Sequence, residues 1–203
     1  DDVVEALIGA VTARYDIVAR YYHLKRALLG VDTLYDYDRY APLPAAEGRY
    51  QWAQAREIVL RAYGRFHPQM AEVAGQFFDR SWIDAPPYPG KRSGAYSASV
   101  VPSAHPYVFM NFTGNVRDVM TLAHELGHGV HQYLAREQGM LQQHTPLTTA
   151  EMASTFGEML VFSDFMANEA DPAVRLAMLA QKMRVVKAAI EEDNTDPHKY
   201  PKD

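Results

Sequence analysis

The sequence has no cysteine. This excludes disulfide bonds and every zinc site that uses thiolate ligands. The same absence is typical of proteins kept in a reducing compartment, so we expect a cytoplasmic protein. The sequence also lacks an apolar run of 18 or more residues and a signal-peptide pattern, and a membrane is therefore not an expected partner.

Positive charge is scarce as well. Twenty Lys and Arg residues stand against 25 Asp and Glu residues, which gives a net charge of −5. Without a basic stripe to meet phosphates, nucleic acid is not an expected partner either. The 203 residues are enough for one well-formed core, and a hydrophobic content of 48% is ordinary for a globular protein. The oligomeric state is left open.

One short motif carries chemistry: His124-Glu125-Leu126-Gly127-His128. Positions i and i+4 share a helix face, so both imidazoles can reach one metal ion. Catalytic zinc takes three protein ligands and leaves one position for water. Glu125 stands beside the first histidine, where a general base would take a proton from that water. The motif predicts a zinc-dependent hydrolase, with a chance match as the alternative.

The surroundings of the motif favour a helix that is closely packed. Asn115 or Thr113 is a suitable N-cap for a helix running through the motif. Gly127 and Gly129 each cost about 1 kcal/mol inside a helix relative to alanine. Because the two glycines flank His128, we expect another element to pack very close there.

A third metal ligand is needed, and three candidates remain: His144, Glu151 and Glu158. The two glutamates lie on the polar stripe of a second predicted helix, 148–168, which is otherwise apolar. Carboxylates in such a helix are costly unless they are paired or bound to a metal. Glu151 has a competing role in a capping box with Thr148. Glu158 is better suited to hold a ligating histidine in its tautomer, and His144 to a loop.

The two helices resemble those of the oligoendopeptidase F/thimet oligopeptidase family of zinc metallopeptidases. The segments that carry the resemblance are Tyr21–Lys25, Leu28–Gly30, Gly94–Tyr96, His105–Phe112, Thr121–His128 and Glu151–Glu158. The resemblance covers roughly residues 1–185. It implies that His124, His128 and Glu151 bind one Zn²⁺ per chain. It also implies that Glu125 is the catalytic glutamate and that short peptides are the substrates.

The resemblance and the helical pattern together predict a mainly α fold. We expect a zincin-like helical metallopeptidase region with a small antiparallel β-hairpin or sheet before the motif helix. Residues 1–203 are predicted to be part of a catalytic domain. Upstream helices and loops take up 1–93, the hairpin and zinc-binding helices 94–168, and a C-terminal helix and tail 169–203.

The family's later segment, which supplies tyrosine and histidine side chains to the transition state, is not recognisable. We therefore expect the chain alone to be a poor peptidase. Individual helices are predicted at 2–29, 49–63, 67–82 and 172–190, strands at 95–101 and 107–112, and a loop at 84–90.

Three further residues are placed near the site by their positions. His131 lies one turn beyond His128 and is expected, with Glu158, to support the ligands. His105 and Tyr107 are expected to contact substrate, because the strand beside a zincin helix commonly pairs with extended peptide.

The leading hypothesis is a zinc-dependent endopeptidase that cleaves internal bonds of short peptides. The first alternative is a catalytically silent fragment that binds zinc or peptide. The second is a metallo-carboxypeptidase with a similar helix, which would require the free carboxylate of its substrate. Peptides with blocked C-termini discriminate this last alternative from an endopeptidase.

Overall fold

The computed structural model describes residues 2–14, 16–35, 37–38, 41, 49–176, 178–180 and 182–183. The helices are α1 (Asp2–Thr12), α2 (Asp16–Leu29), α3 (Trp52–Phe66), α4 (Pro68–Asp79), α5 (Val116–Ala135) and α6 (Leu147–Asn168). The strands are β1 (Ile83–Asp84), β2 (Tyr96–Ala98) and β3 (Tyr107–Phe109), and a 3₁₀ helix, Arg136–Gln138, follows α5. Residues 172–176, 178–180 and 182–183 are also helical. The predicted mainly α fold is confirmed.

The chain divides into two compact units. The described residues of Asp1–Ala46 and Asp171–Asp203 belong to one, and those of Glu47–Ala170 belong to the other, which contains the zinc motif. The end of the predicted 172–190 helix lies outside the described residues. Among the described residues, no helix is long and apolar enough to cross a membrane.

The single helix predicted over 2–29 is wrong, because the structure has two helices there. A turn at Ala13 and Arg14 ends α1, and α2 begins at Asp16. An aspartate in a first turn is favoured by the positive end of the helix dipole. The apolar residues continue at helical spacing on both sides of Asp16, so the sequence pattern did not show that a new helix begins there.

The sheet before α5 is mixed rather than purely antiparallel. Its strand order is β1-β3-β2, with β2 antiparallel and β1 parallel to the central β3. The predicted pairing of the two later strands is present, although each is only three residues long. The two-residue β1 was missed, because a strand so short has no alternation to recognise.

The predicted extension of α4 to residue 82 is also wrong. Ser81 has a φ of 59°, a left-handed conformation that reverses the chain after α4. The N–H of Trp82 then donates to the carbonyl of Phe77, with the N and O atoms 2.9 Å apart. The rings of Phe77 and Trp82 pack edge to face, with their centroids 5.3 Å apart. This reversal turns the chain into β1.

Two elements pack closely on either side of the second motif histidine. A Cβ on Gly127 would lie 2.8 Å from the backbone of Ser154 in α6. A Cβ on Gly129, on another side of α5, would lie 2.8 Å from the ring of Phe77. The close packing predicted around His128 is therefore confirmed.

Tyr63 of α3 ties this contact to a third helix. Its side chain is fully buried, and its hydroxyl donates to the carbonyl of Ala123 at 2.6 Å. A Cβ on Gly157 would lie 2.5 Å from that hydroxyl oxygen, so only glycine leaves room for the bond. Burial, with a smaller contribution from the charge of Glu158, raises the pKa of Tyr63. The tyrosine therefore stays a neutral donor under α5.

Helix α6 has no charged residue on its outer face. That face exposes three large apolar side chains: Met152 (67%), Phe156 (42%) and Met159 (37%). Of its three acidic residues, Asp164 is buried and pairs with two arginines of α3, Arg61 and Arg65. The Arg61 Nη2–Asp164 Oδ2 distance is 2.6 Å. This ion pair fixes α6 on α3 in addition to the apolar contacts.

Gly127→Ala should lower the free energy of unfolding by about 1–3 kcal/mol, because the new methyl overlaps the backbone of α6 and cannot be relieved by a rotamer change. Gly75→Ala is the matched control. Gly75 lies inside α4, and its Cβ would have nothing within 4 Å. This control should gain about 0.5–1 kcal/mol from helix propensity. Urea unfolding followed by circular dichroism measures both, and equal stability of the two variants would contradict the packing described here.

Candidate metal centre

Two histidines of α5 and one glutamate of α6 converge where these helices face each other. His124 Nε2 is 3.4 Å from Glu151 Oε2, and His128 Nε2 is 3.6 Å from Glu151 Oε1. Each of the three residues offers a ligand atom, and these atoms lie within 4.8 Å of one another. Ligands about 2.1 Å from a tetrahedral zinc are about 3.4 Å apart, so the spacing suits one ion. Two imidazoles and a carboxylate are also a donor set that zinc accepts.

The start of α5 is fixed by a complete capping box. The side chain of Asn115 accepts from the backbone N–H of Asp118 at 2.9 Å. The Asp118 carboxylate accepts in return from the backbone N–H of Asn115 at 3.4 Å, and also from those of Thr113 and Gly114 at 2.6 and 3.0 Å. Of the two N-caps predicted, the structure has Asn115. The box sets the position from which the helix carries His124 and His128 to the site.

Glu151 does not take part in a capping box. Helix α6 begins at Leu147, and its cap residue Pro146 makes no side-chain hydrogen bond. The Glu151 carboxylate instead accepts from the hydroxyl of Ser154 at 2.9 Å. The capping-box alternative is therefore wrong. Sequence reasoning assigned no role to Ser154.

Glu158 lies behind the first histidine. Its Oε2 is 3.4 Å from His124 Nδ1, on the side of the ring away from Glu151. Hydrogen bonding to Glu158 is the largest influence on His124 and raises the pKa of that imidazole, against the effect of burial. A partner at Nδ1 directs the other ring nitrogen toward the cluster. The supporting role of Glu158 stays a prediction.

The second histidine is in a different electrostatic setting. Burial lowers the pKa of His128, and the nearby imidazoles of His124 and His131 lower it further, while Glu151 opposes them. A lowered pKa favours the neutral ring, which is the form that binds metals. His131 itself makes no hydrogen bond to the candidate ligands within the described part of the chain, and its supporting role stays a prediction. His144 is exposed and lies outside the cluster.

Glu125 is a buried carboxylate with an available oxygen. Only 6% of the residue is exposed, and Oε2 has no hydrogen-bond partner among the described residues. Burial is the main cause that raises the pKa of Glu125 to about 7, and the charge of Glu151 adds to it. The charge of His124 and hydrogen bonding from the Ser97 backbone act in the opposite direction. This oxygen keeps its capacity to accept a hydrogen bond, but it is enclosed by the surrounding protein.

The residues predicted to contact substrate are only partly accessible. His105 stacks on Trp82, with ring centroids 3.9 Å apart and planes 8° apart. Tyr107 is 49% exposed but lies on β3, whose two edges are already paired. The argument that a peptide pairs with this strand is therefore wrong, because its backbone groups are taken. A contact through the exposed ring of Tyr107 stays a prediction, as does a contact with His105.

Sequence reasoning missed a polar contact between β2 and α5. The Ser97 hydroxyl donates to Gln132 Oε1 at 2.7 Å, and Gln132 Nε2 donates to the Ser97 carbonyl at 3.3 Å. No pattern in the neighbouring sequence predicts such a pair, because the contact depends on where the sheet packs against the helix. The only available signal is that Gln132 lies seven positions after Glu125, on the same side of α5.

Comparisons with known proteins agree on one family. The sequence profile of peptidase family M3 matches residues 1–189. Oligopeptidase PepF of Bacillus subtilis is 30% identical over 88% of the chain, and chromosomal oligoendopeptidase F of Lactococcus lactis subsp. cremoris is likewise 30% identical over 88%. The chain covers 27% and 30% of these two relatives, less than a third of their length.

The fold is similar to a solved structure as well. A protein from Chlamydophila abortus superimposes with a TM-score of 0.79 and 28% identity. The superposition covers 92% of the chain and 31% of that protein. In sequence and in structure, the chain therefore matches less than a third of much longer proteins.

Glu125→Gln should stabilise the metal-free protein at pH 8 by about 1–3 kcal/mol and leave its stability at about pH 4 nearly unchanged. A carboxyl whose pKa is raised from 4.5 to about 7 on folding is largely neutral in both states below pH 4.5. Its ionisation opposes folding, so the stability present at low pH is lost as the pH rises from 4.5 to about 7. Urea unfolding of chelator-treated protein at both pH values measures the difference. A difference independent of pH would mean that burial does not raise this pKa.

Proposed function

Because the chain belongs to peptidase family M3, we propose that it forms the zinc-binding part of a metallopeptidase that cleaves short peptides at internal bonds. The observation that carries the proposal is the convergence of His124, His128 and Glu151 on one point next to the buried Glu125. The names of the matched relatives supply the substrate class, oligopeptides.

His124, His128 and Glu151 are the proposed zinc ligands. A bound Zn²⁺ polarises the scissile carbonyl and lowers the pKa of a water molecule. Glu158 holds His124 from behind through Nδ1, which leaves Nε2 as the ligand atom. The Ser154 hydroxyl fixes one oxygen of Glu151 in the same way. The ligands are thus oriented before any metal arrives.

Glu125 is the proposed general base. Its partnerless Oε2 accepts the proton of the attacking water, and the carboxyl then passes that proton to the leaving amine. A base works best when its pKa is near the working pH, and burial shifts the pKa of Glu125 in that direction. Burial of the carboxylate also limits exchange of the proton with bulk water.

A catalytically silent protein that binds zinc or peptide is the second candidate. The chain spans less than a third of the length of these relatives, so their whole activity is carried over to it only as a proposal. Hydrolysis also needs donors for the oxyanion, and losing one typically costs about 10²–10³ in rate. The metallo-carboxypeptidase alternative is disfavoured by the names of the matched relatives. Short peptide substrates and a cytoplasmic location stay predictions.

The protein should bind one Zn²⁺ per chain, and His128→Ala should abolish stoichiometric binding because it removes a ligand. Glu158→Gln should weaken zinc affinity by about 10–100-fold, as loss of a hydrogen bond behind a ligand does, and Glu151→Gln should weaken it more. His144→Ala, in an exposed loop, is the matched control and should keep the metal. Competition with a chromogenic chelator and elemental analysis measure these effects. Full zinc retention by His128→Ala would rule out this ligand set.

Glu125→Gln should bind zinc as the wild type does but cleave peptide at least about 10²-fold more slowly, because the amide cannot accept the proton. The substrate is an internally quenched peptide with both termini blocked, used at high protein concentration since slow turnover is expected. Glu137→Gln, an exposed position just after α5, is the control. Loss of zinc from Glu125→Gln would make Glu125 a ligand, and full activity would place the base elsewhere. A wild type that holds zinc without turnover would favour the silent alternative.

A further inference from the structure

Strand β2 lies at the edge of the sheet, and at Ser97 this edge is hydrogen-bonded to helix α5. In the sheet, Ser97 is opposite Val108, and the N–H of Val108 donates away from β2, to the carbonyl of Trp82 at 2.9 Å. Ser97 and Val108 are therefore a pair without mutual backbone hydrogen bonds. It follows that the backbone N–H and carbonyl of Ser97 both point outward, away from β3. These are the groups that an edge strand normally leaves unpaired.

Gln132 of α5 forms hydrogen bonds with Ser97 through both the oxygen and the nitrogen of its side-chain amide. Its Oε1 accepts from the Ser97 hydroxyl at 2.7 Å, while its Nε2 donates to the Ser97 carbonyl at 3.3 Å. Both bonds are partly buried, so water competes poorly for them. An amide that contacts one residue through both its donor and its acceptor fixes direction as well as distance. We call this two-bond contact the Ser97–Gln132 clamp.

The remaining outward group is the Ser97 N–H. Hydrogen bonding from the Ser97 backbone lowers the pKa of the Glu125 carboxyl, which places this N–H beside Glu125. Glu125 and Gln132 are seven residues apart, about two turns, and so lie on one side of α5. One strand residue thus contacts the candidate base and, two turns along the helix, the glutamine that holds the strand in place.

We propose that Ser97 and Gln132 are positioning residues for the general base: their clamp holds β2 on α5 so that the Ser97 N–H fixes the orientation of the Glu125 carboxylate. The assignment rests on the proposed function, because it concerns the base of that reaction. A carboxylate turns easily about its last bond, and the second oxygen of Glu125 has no partner among the described residues. One fixed donor therefore decides which oxygen faces the histidines.

The metal ligands do not depend on the clamp. The histidines and Glu151 are held by contacts between α5 and α6, and by Ser154 and Glu158, none of which involves β2. Breaking the clamp should therefore affect proton transfer and leave metal binding intact. This separation distinguishes a positioning role from a general loss of structure.

The test compares Gln132→Ala with Gln138→Ala, an exposed glutamine beyond the end of α5. In zinc-loaded protein, Gln132→Ala should raise the hydrogen-exchange rate of the Ser97 amide at least about tenfold, measured by NMR, while Gln138→Ala leaves it unchanged. On the quenched peptide, Gln132→Ala should lower kcat about tenfold with KM and zinc content unchanged. Ser97→Ala should show part of the same loss of kcat, and Ser97→Thr, which keeps a hydroxyl, should restore it.

Unchanged exchange at Ser97 in Gln132→Ala would overturn the clamp whatever the activity. Faster exchange with an unchanged kcat would show that the pair is structural only and would overturn the positioning role. Wild-type protein that binds zinc but cleaves no peptide contradicts the proposed function and, with it, any role of the pair in that reaction. The exchange rate then still decides whether the clamp itself exists.

Discussion

The absence of a side chain at Gly127 lets the backbone of α6 lie directly against α5, and the candidate site follows from that contact. Two helices packed through larger side chains would stand about 8–10 Å apart. A shift of even one methyl group would move Glu151 away from His124 and His128, whose nitrogens are 3.4 and 3.6 Å from its oxygens. Gly157 and the buried hydroxyl of Tyr63 hold the same interface from the other side. The distances between the three candidate ligands are thus set first by how closely the backbones of α5 and α6 pack.

The acidic residues of α6 are of two kinds, one that stabilises the fold and two that lie at the candidate metal site. Asp164 is buried and has two arginines as partners, which is how an apolar core accommodates a carboxylate. Glu151 and Glu158 each lie beside an imidazole of the motif. With Glu125 they bring three carboxyl groups close to two histidines. Carboxylates and imidazoles are ligands that zinc accepts, so this chemistry favours a metal there, apart from the spacing of the motif.

Local periodicity decided what could be predicted from the sequence. The spacing of His124, Glu125 and His128 places them on one helix, and the apolar run around Glu151 defines the second, so both helices were predicted within a few residues of their ends. The break before Asp16 was missed because it does not interrupt the apolar pattern, and β1 was missed because two residues show no alternation. Ser97 and Gln132 are 35 residues apart, and their contact depends on how the sheet meets α5. Such contacts have no signature in neighbouring residues.

The neutral outer face of α6 also bears on how this chain would associate in solution. Among the described residues of α6, no charged side chain shares that face with Met152, Phe156 and Met159, so an association made there would involve no ion pair from α6 for salt to screen. Sulfate and other excluded salts would strengthen such an association rather than weaken it. Cooling would loosen it, because apolar attraction declines at low temperature. Purification at low temperature and in modest concentrations of weakly hydrated salts therefore suits this surface better than the usual remedy of added sulfate.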